Sequence, residues 1–296
     1  MPKFRKAKKQ ASHIVKSHLA IGKAKHNTDK KNQIHSVGTA RNYEQALIRV
    51  GNWLKANKLG NLSDLKESAA IQYLETRAQE IGQKSLDQER QAIQLCIGHK
   101  LPVIKSELEQ AKKSRAYTED QVKLIAESQQ NKNQLATKIA YAAGLRAHEL
   151  LTLRRANKQP KSTHRKWSHR RFTGRNGILY TVIGKGGLIR EVLIPKDLAK
   201  QLENHRLRKP QQIKDRQINY KKHYDIAGGK NWTNSFSAAS KRLFNWSHGA
   251  HGLRHSYAQQ RMSELQQLGC LYKEALGIVS QELGHFRPDI TEVYLL

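Results

Sequence analysis

The residues of this 296-residue chain that could do chemistry lie in five short motifs. They are cations, imidazoles, one carboxylate and one phenol: Arg146 and Glu149 in GLRAHELL, Lys185 in GKGG, His251 and Arg254 in HGLRHSYA, His285 in LGH, and Tyr294 near the end of the chain. Taken singly, each has an ordinary interpretation, such as a surface salt bridge, a solvated turn residue or a packed aromatic ring. Their order and joint spacing are the informative feature.

The spacing of the third motif predicts an anion site rather than a metal site. A separation of three residues places His251 and Arg254 on one face of a helix, where both could meet one anion. His251 and His255 are four residues apart, which also suggests zinc. The zinc-protease pattern H-E-x-x-H would need glutamate at Gly252, and no carboxylate or cysteine neighbour completes a tetrahedral set. We therefore expect no metal.

The hydrophobic pattern predicts a mainly α-helical chain with one small β-hairpin, that is, an α+β fold. Residues 1–35, with ten Lys/Arg and one acid, are expected to be a basic flexible arm, and residues 36–110 a small helical domain. A basic linker, AKKSRA, precedes a second domain at 117–296, where Thr118 and Gln121 form a capping box. Helices are expected at 118–128, 133–153, 196–209, 234–244, 252–268 and 271–283, with two strands joined by the GKGG turn.

The composition indicates a polyanionic partner. Lys and Arg number 54 against 24 Asp and Glu, which gives a net charge of +30, and nucleic acid is a better candidate than an anionic membrane surface. There is no apolar run long enough for a membrane span and no secretory signal. The two cysteines, Cys96 and Cys270, are isolated, which fits a reducing cytoplasm rather than a disulfide framework.

Residues 154–175 form a basic stripe that could follow a phosphate backbone. The segment 151–190 contains eleven Lys/Arg and no Asp or Glu. The alternative interpretation of the stripe is a solvated loop. The candidate DNA-binding residues of the stripe are Arg154, Arg155, Lys158, Lys161, Arg165, Lys166, Arg170, Arg171 and Arg175.

Together the five motifs resemble those of the tyrosine recombinase (phage integrase) superfamily. The sequences HGLRHSYAQQRM and ELGH…DITEVYL are most similar to those of integrases of bacterial integrative elements. The resemblance implies a tyrosine recombinase catalytic domain, preceded by a SAM-like core-binding domain. It also implies that Arg146, Lys185, His251, Arg254 and His285 are catalytic, that Glu149 supports the first arginine, and that Tyr294 is the nucleophile.

The reaction implied is metal-independent strand transfer on DNA with no cofactor, through a 3′-phosphotyrosine. Implied partners are double-stranded attachment sites, three further protomers in a DNA-assembled homotetramer and a DNA-bending accessory protein, in the bacterial cytoplasm at the nucleoid. Three alternatives stay open: a type IB topoisomerase-like relaxing activity, a non-catalytic DNA-binding protein, and an RNA-associated basic protein.

Overall fold

A computed structural model describes residues 6–21, 32–109 and 114–296 of the chain. The chain divides into two compact units, Met1–Ala111 and Lys112–Leu296. The described residues are mainly helical with two small antiparallel sheets, which confirms the predicted fold class. No described helix is long and apolar enough to cross a membrane.

The first unit is a helical bundle around one apolar core. Its helices are α1 (Ala7–Ser17), α2 (Val37–Ala56), α3 (Glu67–Ala78) and α4 (Gln83–Ile97). Leu47, Leu54 and Leu74 are fully buried in this core. Cys96 packs against the same core, and burial raises the pKa of its thiol to about 12, as expected for a structural cysteine.

The prediction of a flexible arm at 1–35 is wrong for the described part of that segment. Residues 7–17 form α1, which buries Ala11 and Val15 in the core of the first unit. A Cβ at Gly51 would lie 2.9 Å from the Cβ of Ala7, so the glycine in α2 permits the close approach of α1. The sequence suggested an arm because charge outnumbers apolar side chains, yet one apolar stripe suffices for docking. Residues 1–5 and 22–31 lie outside the described residues.

The second unit surrounds a three-stranded sheet with helices and carries a separate two-stranded ribbon. In chain order its elements are α5 (Glu119–Glu127), α6 (Asn131–Ala143), β1 (Arg154–Arg155), β2 (Ile178–Ile183), β3 (Ile189–Ile194), α7 (Lys196–Asn204), β4 (Arg206–Asp215), β5 (Ile218–Tyr224), α8 (Gly229–Phe244), α9 (Gly252–Gln267), α10 (Tyr272–Glu282) and α11 (Pro288–Glu292). The sheet order is β1-β2-β3, and β4 pairs with β5. The capping box at Thr118 and the glycine-containing turn between β2 and β3 are both present, as predicted.

Two predicted helices end earlier than the sequence suggested. The helix expected at 133–153 stops at Ala143, because Gly144 adopts a left-handed conformation with φ +60°. The helix expected at 196–209 stops at Asn204 and the chain continues as β4, so the ribbon was missed. Alternation in the ribbon sequence is mostly between polar residues, which leaves little period-two apolar signal.

Candidate active site

Gly144 places the first motif at the centre of the second unit. A Cβ at this position would lie 2.8 Å from the ring of Tyr257 in α9, so the turn needs glycine both for its φ and for space. The chain after it bends into a short 3₁₀ turn at Glu149–Leu151 instead of the expected helix. Arg146 still contacts Glu149, with both its backbone N–H and its Nη1 donating to that carboxylate at 2.8 Å.

Glu149 is the buried counter-charge of three guanidiniums. It is fully buried, and its Oε2 accepts from Arg190 Nη2 at 2.8 Å and lies 3.9 Å from Arg254 Nη1. Burial alone would raise the pKa of this carboxyl group, but Arg190, Arg146 and Arg254 together hold it well below its usual range. One anion thus fixes three cations that would otherwise repel each other.

Arg254 lies at the bottom of the site and is fully buried. Its Nη2 donates to the carbonyl of Leu283 at 3.1 Å, and its Nη1 donates to the carbonyl of Gly144. Its Nε has no partner within the described residues. A buried guanidinium N–H without an acceptor is costly, so a ligand oxygen arriving at this arginine would gain a hydrogen bond.

His285 orients Arg254 in this structure. Its Nε2 lies 3.0 Å from Arg254 Nη2, and its Nδ1 lies 3.2 Å from the hydroxyl of Thr291. Since arginine can only donate, Nε2 is the acceptor and Nδ1–H donates to Thr291. Burial and the nearby Arg254 and Arg146 lower the pKa of His285 to about 3, so the imidazole is neutral. Both ring nitrogens therefore have partners inside the protein.

Tyr294 lies among the imidazoles and over Arg254. Its hydroxyl is 3.1 Å from Nε2 of His251, and its ring is 8% exposed. The ring centroid is 4.6 Å from that of His255 and 5.6 Å from the guanidinium carbon of Arg254. Burial, then Arg254, lowers the pKa of His251 to about 4, so its imidazole is neutral and Nε2 can accept a hydrogen bond from the phenol.

A cavity of about 330 Å³ adjoins Arg146. Arg146, Lys185 and His285 line it, and so does Arg165 from the basic stripe. The guanidinium of Arg165 lies 5.3 Å from the ring centroid of Phe286. Positive side chains from three separate stretches of sequence, those of Arg146, Arg165 and Lys185, therefore line one opening together with the neutral His285, a setting suited to a phosphate group.

The basic stripe divides into paired and unpaired cations, and its role in binding a phosphate backbone stays a prediction. Five members have carboxylate partners within the chain: Arg155 with Glu203, Lys161 and Arg171 with Glu191, Arg170 with Glu274, and Arg175 with Glu264. Within the described residues, Arg154, Lys158, Arg165 and Lys166 have no ion-pair partner, and the last three are exposed. The charge of those four is therefore not compensated by a carboxylate of the described residues.

Besides the ion pairs, a backbone hydrogen bond and an aromatic contact anchor the segment 159–176 to α10 and to the residues that follow it. The fully buried Glu282 accepts from the backbone N–H of Phe172 at 2.7 Å and from Arg261. Trp167 packs edge-on against Phe286, with ring centroids 4.7 Å apart. These contacts hold the segment beside His285 and present Arg165 to the cavity.

Three contributors to the site were not predicted: Arg190, His255 and Thr291. Arg190 occupies an inward position of β3, as its alternation with Val192 and Ile194 shows. An arginine at a strand position that should be apolar is a detectable sign of a buried ion pair. His255 was considered only for zinc, but its ring packs on Tyr294, and no cluster of metal-binding side chains occurs among the described residues.

Comparison with solved structures identifies the fold of the chain. No known protein family's profile and no curated protein matches the chain. Among solved structures, XerH site-specific recombinase bound to palindromic difH substrate is 15% identical with a TM-score of 0.57, covering 97% of this chain and 90% of that one. A lambda integrase dimer bound to a COC′ core site is 15% identical with a TM-score of 0.54, covering 91% and 90%.

A third similar structure is the Tn1549 transposon integrase in complex with transposon right-end DNA, at 14% identity and a TM-score of 0.54, covering 97% of this chain and 95% of that one. All three are tyrosine recombinases, and each aligns with more than nine-tenths of this chain at a TM-score above 0.5. The chain therefore has the tyrosine recombinase fold.

Proposed function

We propose that this chain is a site-specific DNA recombinase of the integrase type, which cuts and rejoins DNA strands through a 3′-phosphotyrosine on Tyr294. The observation that carries the proposal is the phenol of Tyr294, which contacts His251 and lies over Arg254 inside this fold. The unit Lys112–Leu296 would be the catalytic part, and the helical unit before it a core-binding DNA module. The net charge of +30 supports a DNA partner.

The proposed step is a single exchange at phosphorus. The oxygen of Tyr294 forms a bond to the phosphorus, and the bond from phosphorus to the 5′-oxygen breaks. In this proposal His251, whose Nε2 lies 3.1 Å from the hydroxyl of Tyr294, would accept the phenol proton or orient the phenol, and Lys185 would give a proton to the departing 5′-oxygen. Because the phosphotyrosine keeps the energy of the diester, the reverse attack by a 5′-hydroxyl reseals the strand without a nucleotide cofactor.

Arg146 and Arg254 would neutralise the non-bridging oxygens, a task for which planar guanidiniums suit phosphate without a metal ion. Arg254 is covered by the ring of Tyr294 in this structure, so the ring must move aside for the phosphate to reach it. The short helix α11 and the residues after it are the segment that would carry this movement. His285 would keep Arg254 oriented, and Arg165 would hold the flanking phosphate.

The expected partners follow from this function. Double-stranded recombination sites are the substrate, a homotetramer on two duplexes performs the exchange, and a DNA-bending protein assists assembly. A type IB topoisomerase-like enzyme would share the covalent chemistry but would relax supercoils without joining two sites.

The experiment begins with a library of nicked duplexes that carry randomised sequence. Covalent protein–DNA complexes are recovered under denaturing conditions and sequenced, which yields the preferred site. Two copies of that site are then placed on one plasmid. We expect deletion or inversion between them. Supercoil relaxation without exchange would indicate a topoisomerase, and absence of any covalent complex would exclude both enzymes.

A further inference from the structure

The ribbon formed by β4 and β5 is largely exposed to solvent. Nearly all of β4 is accessible to solvent. The residues from 206 to 224 include seven Lys/Arg and one acid, Asp215. Few side chains of the ribbon are buried, so the ribbon contributes little to the core of the unit.

The strand register assigns the ribbon two different faces. Gln212 lies opposite Lys221 and Lys214 opposite Asn219, so these four side chains share one face. The other face is turned toward the protein. There, the ring of Tyr220 lies 6.3 Å from that of His148, and Asp215 accepts from the backbone N–H of Lys230 at 2.8 Å.

The face that carries Lys214 and Lys221 is positively charged and has no internal counter-charge. Of the seven cations, Arg206, Lys222 and Arg216 have carboxylates within ion-pair distance. Arg208, Lys209, Lys214 and Lys221 have none in the described part of the chain. Burial lowers the pKa of the adjacent His223, and Arg154, Lys221 and Arg206 lower it further, as expected where positive charge is uncompensated.

The tip of the ribbon keeps a cation at a conformational cost. Arg216 and Gln217 both have positive φ, at 49° and 67°, in a two-residue turn where glycine or asparagine would be relaxed. Strained residues persist where something other than stability retains them. Pro210 in β4 removes a backbone donor from the edge, which argues against the addition of another strand.

We propose that the outer face of this ribbon, formed by Gln212, Lys214, Asn219 and Lys221 with Arg216 at the tip, binds a groove of duplex DNA. The inference rests on the proposed function and adds a second DNA contact outside the cavity. A two-stranded ribbon, with strands about 4.8 Å apart, fits a major groove roughly 12 Å wide. The lysines would bind phosphates on the groove walls, and the two amides can both donate to and accept from base edges.

The alternative explanation of these lysines is that they merely keep an exposed edge soluble. The double variant Lys214→Gln/Lys221→Gln separates the two explanations. Its matched control is Lys123→Gln/Lys241→Gln, which removes the same charge from exposed positions of α5 and α8. Affinity for a fluorescein-labelled mixed-sequence duplex is measured by anisotropy over a range of salt concentrations, and circular dichroism verifies folding of both variants.

We expect the ribbon variant to bind at least tenfold more weakly than the control, and the slope of log affinity against log salt to fall by about two. In the wild-type complex, Lys214 and Lys221 should be protected from acetylation, whereas Lys123 stays reactive. Equal affinity and slope in both variants, or full acetylation of both ribbon lysines in the complex, would overturn the ribbon proposal. Absence of salt-dependent binding by the wild-type protein would instead contradict the proposed function.

Discussion

At the scale of single residues, the site is a balance of three guanidiniums against one carboxylate. Glu149 holds Arg146, Arg190 and Arg254 while remaining fully buried. Breaking a buried ion pair leaves uncompensated charge, which costs far more than losing a surface pair. The same carboxylate therefore stabilises the fold and places Arg146 and Arg254, the arginines proposed to bind phosphate.

Glu149→Gln should lower the stability of the second unit by about 3–5 kcal/mol, because the fully buried Arg190 and Arg254 and the partly buried Arg146 lose their counter-ion. The matched control is Glu274→Gln, which removes the solvent-accessible partner of Arg170 and should cost about 1 kcal/mol or less. Denaturant unfolding followed by circular dichroism measures both. Equal stability of the two variants would contradict the role assigned to Glu149.

The buried histidines should make the unit sensitive to acid. Burial lowers the pKa of His255 to about 4 and that of His285 to about 3, against an unfolded value near 6.5. Below pH 6.5 the unfolded chain binds more protons, so their stabilising contribution is complete above that pH and is lost as pH falls toward 3. His255→Gln should flatten the melting-temperature profile between pH 6.5 and pH 4.

The control for this prediction is His169→Gln, which changes an exposed histidine of the same unit. It should leave the profile unchanged. If both variants followed the wild-type profile, the neutral state inferred for His255 in the folded protein would be wrong.

The motif residues were predictable from the sequence because their types and order are distinctive, and the structure brings Arg146, His251, Arg254, His285 and Tyr294 together. Arg190 was not predictable in the same way. Its alternation with Val192 and Ile194 in IREVLI indicates an inward position, but the sequence does not show that Glu149 is the carboxylate that pairs with it. Two carboxylate partners of the basic stripe were equally hidden, because Glu264 lies 89 residues from Arg175 and Glu274 lies 104 residues from Arg170.

At the scale of elements, turns decide where the cations lie. Gly144 ends α6 and directs Arg146 into the site, which a continuous helix would not do. The sequence predicted one continuous helix across Gly144 because apolar residues occur at helical spacing on both sides of it. The β4–β5 ribbon was missed for the opposite reason, since its alternation contains few apolar residues.

Gly144→Ala should be more destabilising than an equivalent change elsewhere in the unit. Gly269 is the control, because it also has positive φ, 84°, but nothing lies within 4 Å of its added Cβ. Gly269→Ala should cost about 1–2 kcal/mol for the left-handed conformation alone. Gly144→Ala should cost more, since its Cβ meets the ring of Tyr257, and it should also reduce DNA cleavage.

Thermal melts and a covalent-complex assay test this prediction together. A larger effect of the Gly269 variant on either readout would mean that the turn at Gly144 does not position the site.

At the scale of the whole molecule, charge dominates. The net charge of +30 would oppose a compact fold unless a polyanion compensates it. Internal ion pairs account for part of the basic stripe, but Arg165, Lys166 and the outer face of the ribbon remain unpaired within the described residues. Composition alone predicted a nucleic-acid partner; it could not indicate which surfaces bind it.

Affinity for duplex DNA should fall steeply with salt. If six or more phosphates are contacted, the binding constant should drop by about a thousandfold or more between roughly 50 mM and 200 mM salt, because each contact releases condensed counter-ions. Anisotropy titrations measure the slope. A flat dependence would remove the electrostatic part of the account.

The most direct test of the central claim is the identity of the residue that becomes attached to DNA. A nicked suicide duplex carrying the selected site is incubated with the wild-type chain, with Tyr294→Phe, and with Tyr272→Phe, which changes an exposed tyrosine of α10. The account predicts a covalent complex for the wild type and the Tyr272 variant, with mass spectrometry placing a 3′-nucleotide on the peptide that contains Tyr294. It predicts none for Tyr294→Phe, although that variant still binds DNA. An adduct that persists in Tyr294→Phe, or that maps to another residue, would contradict it.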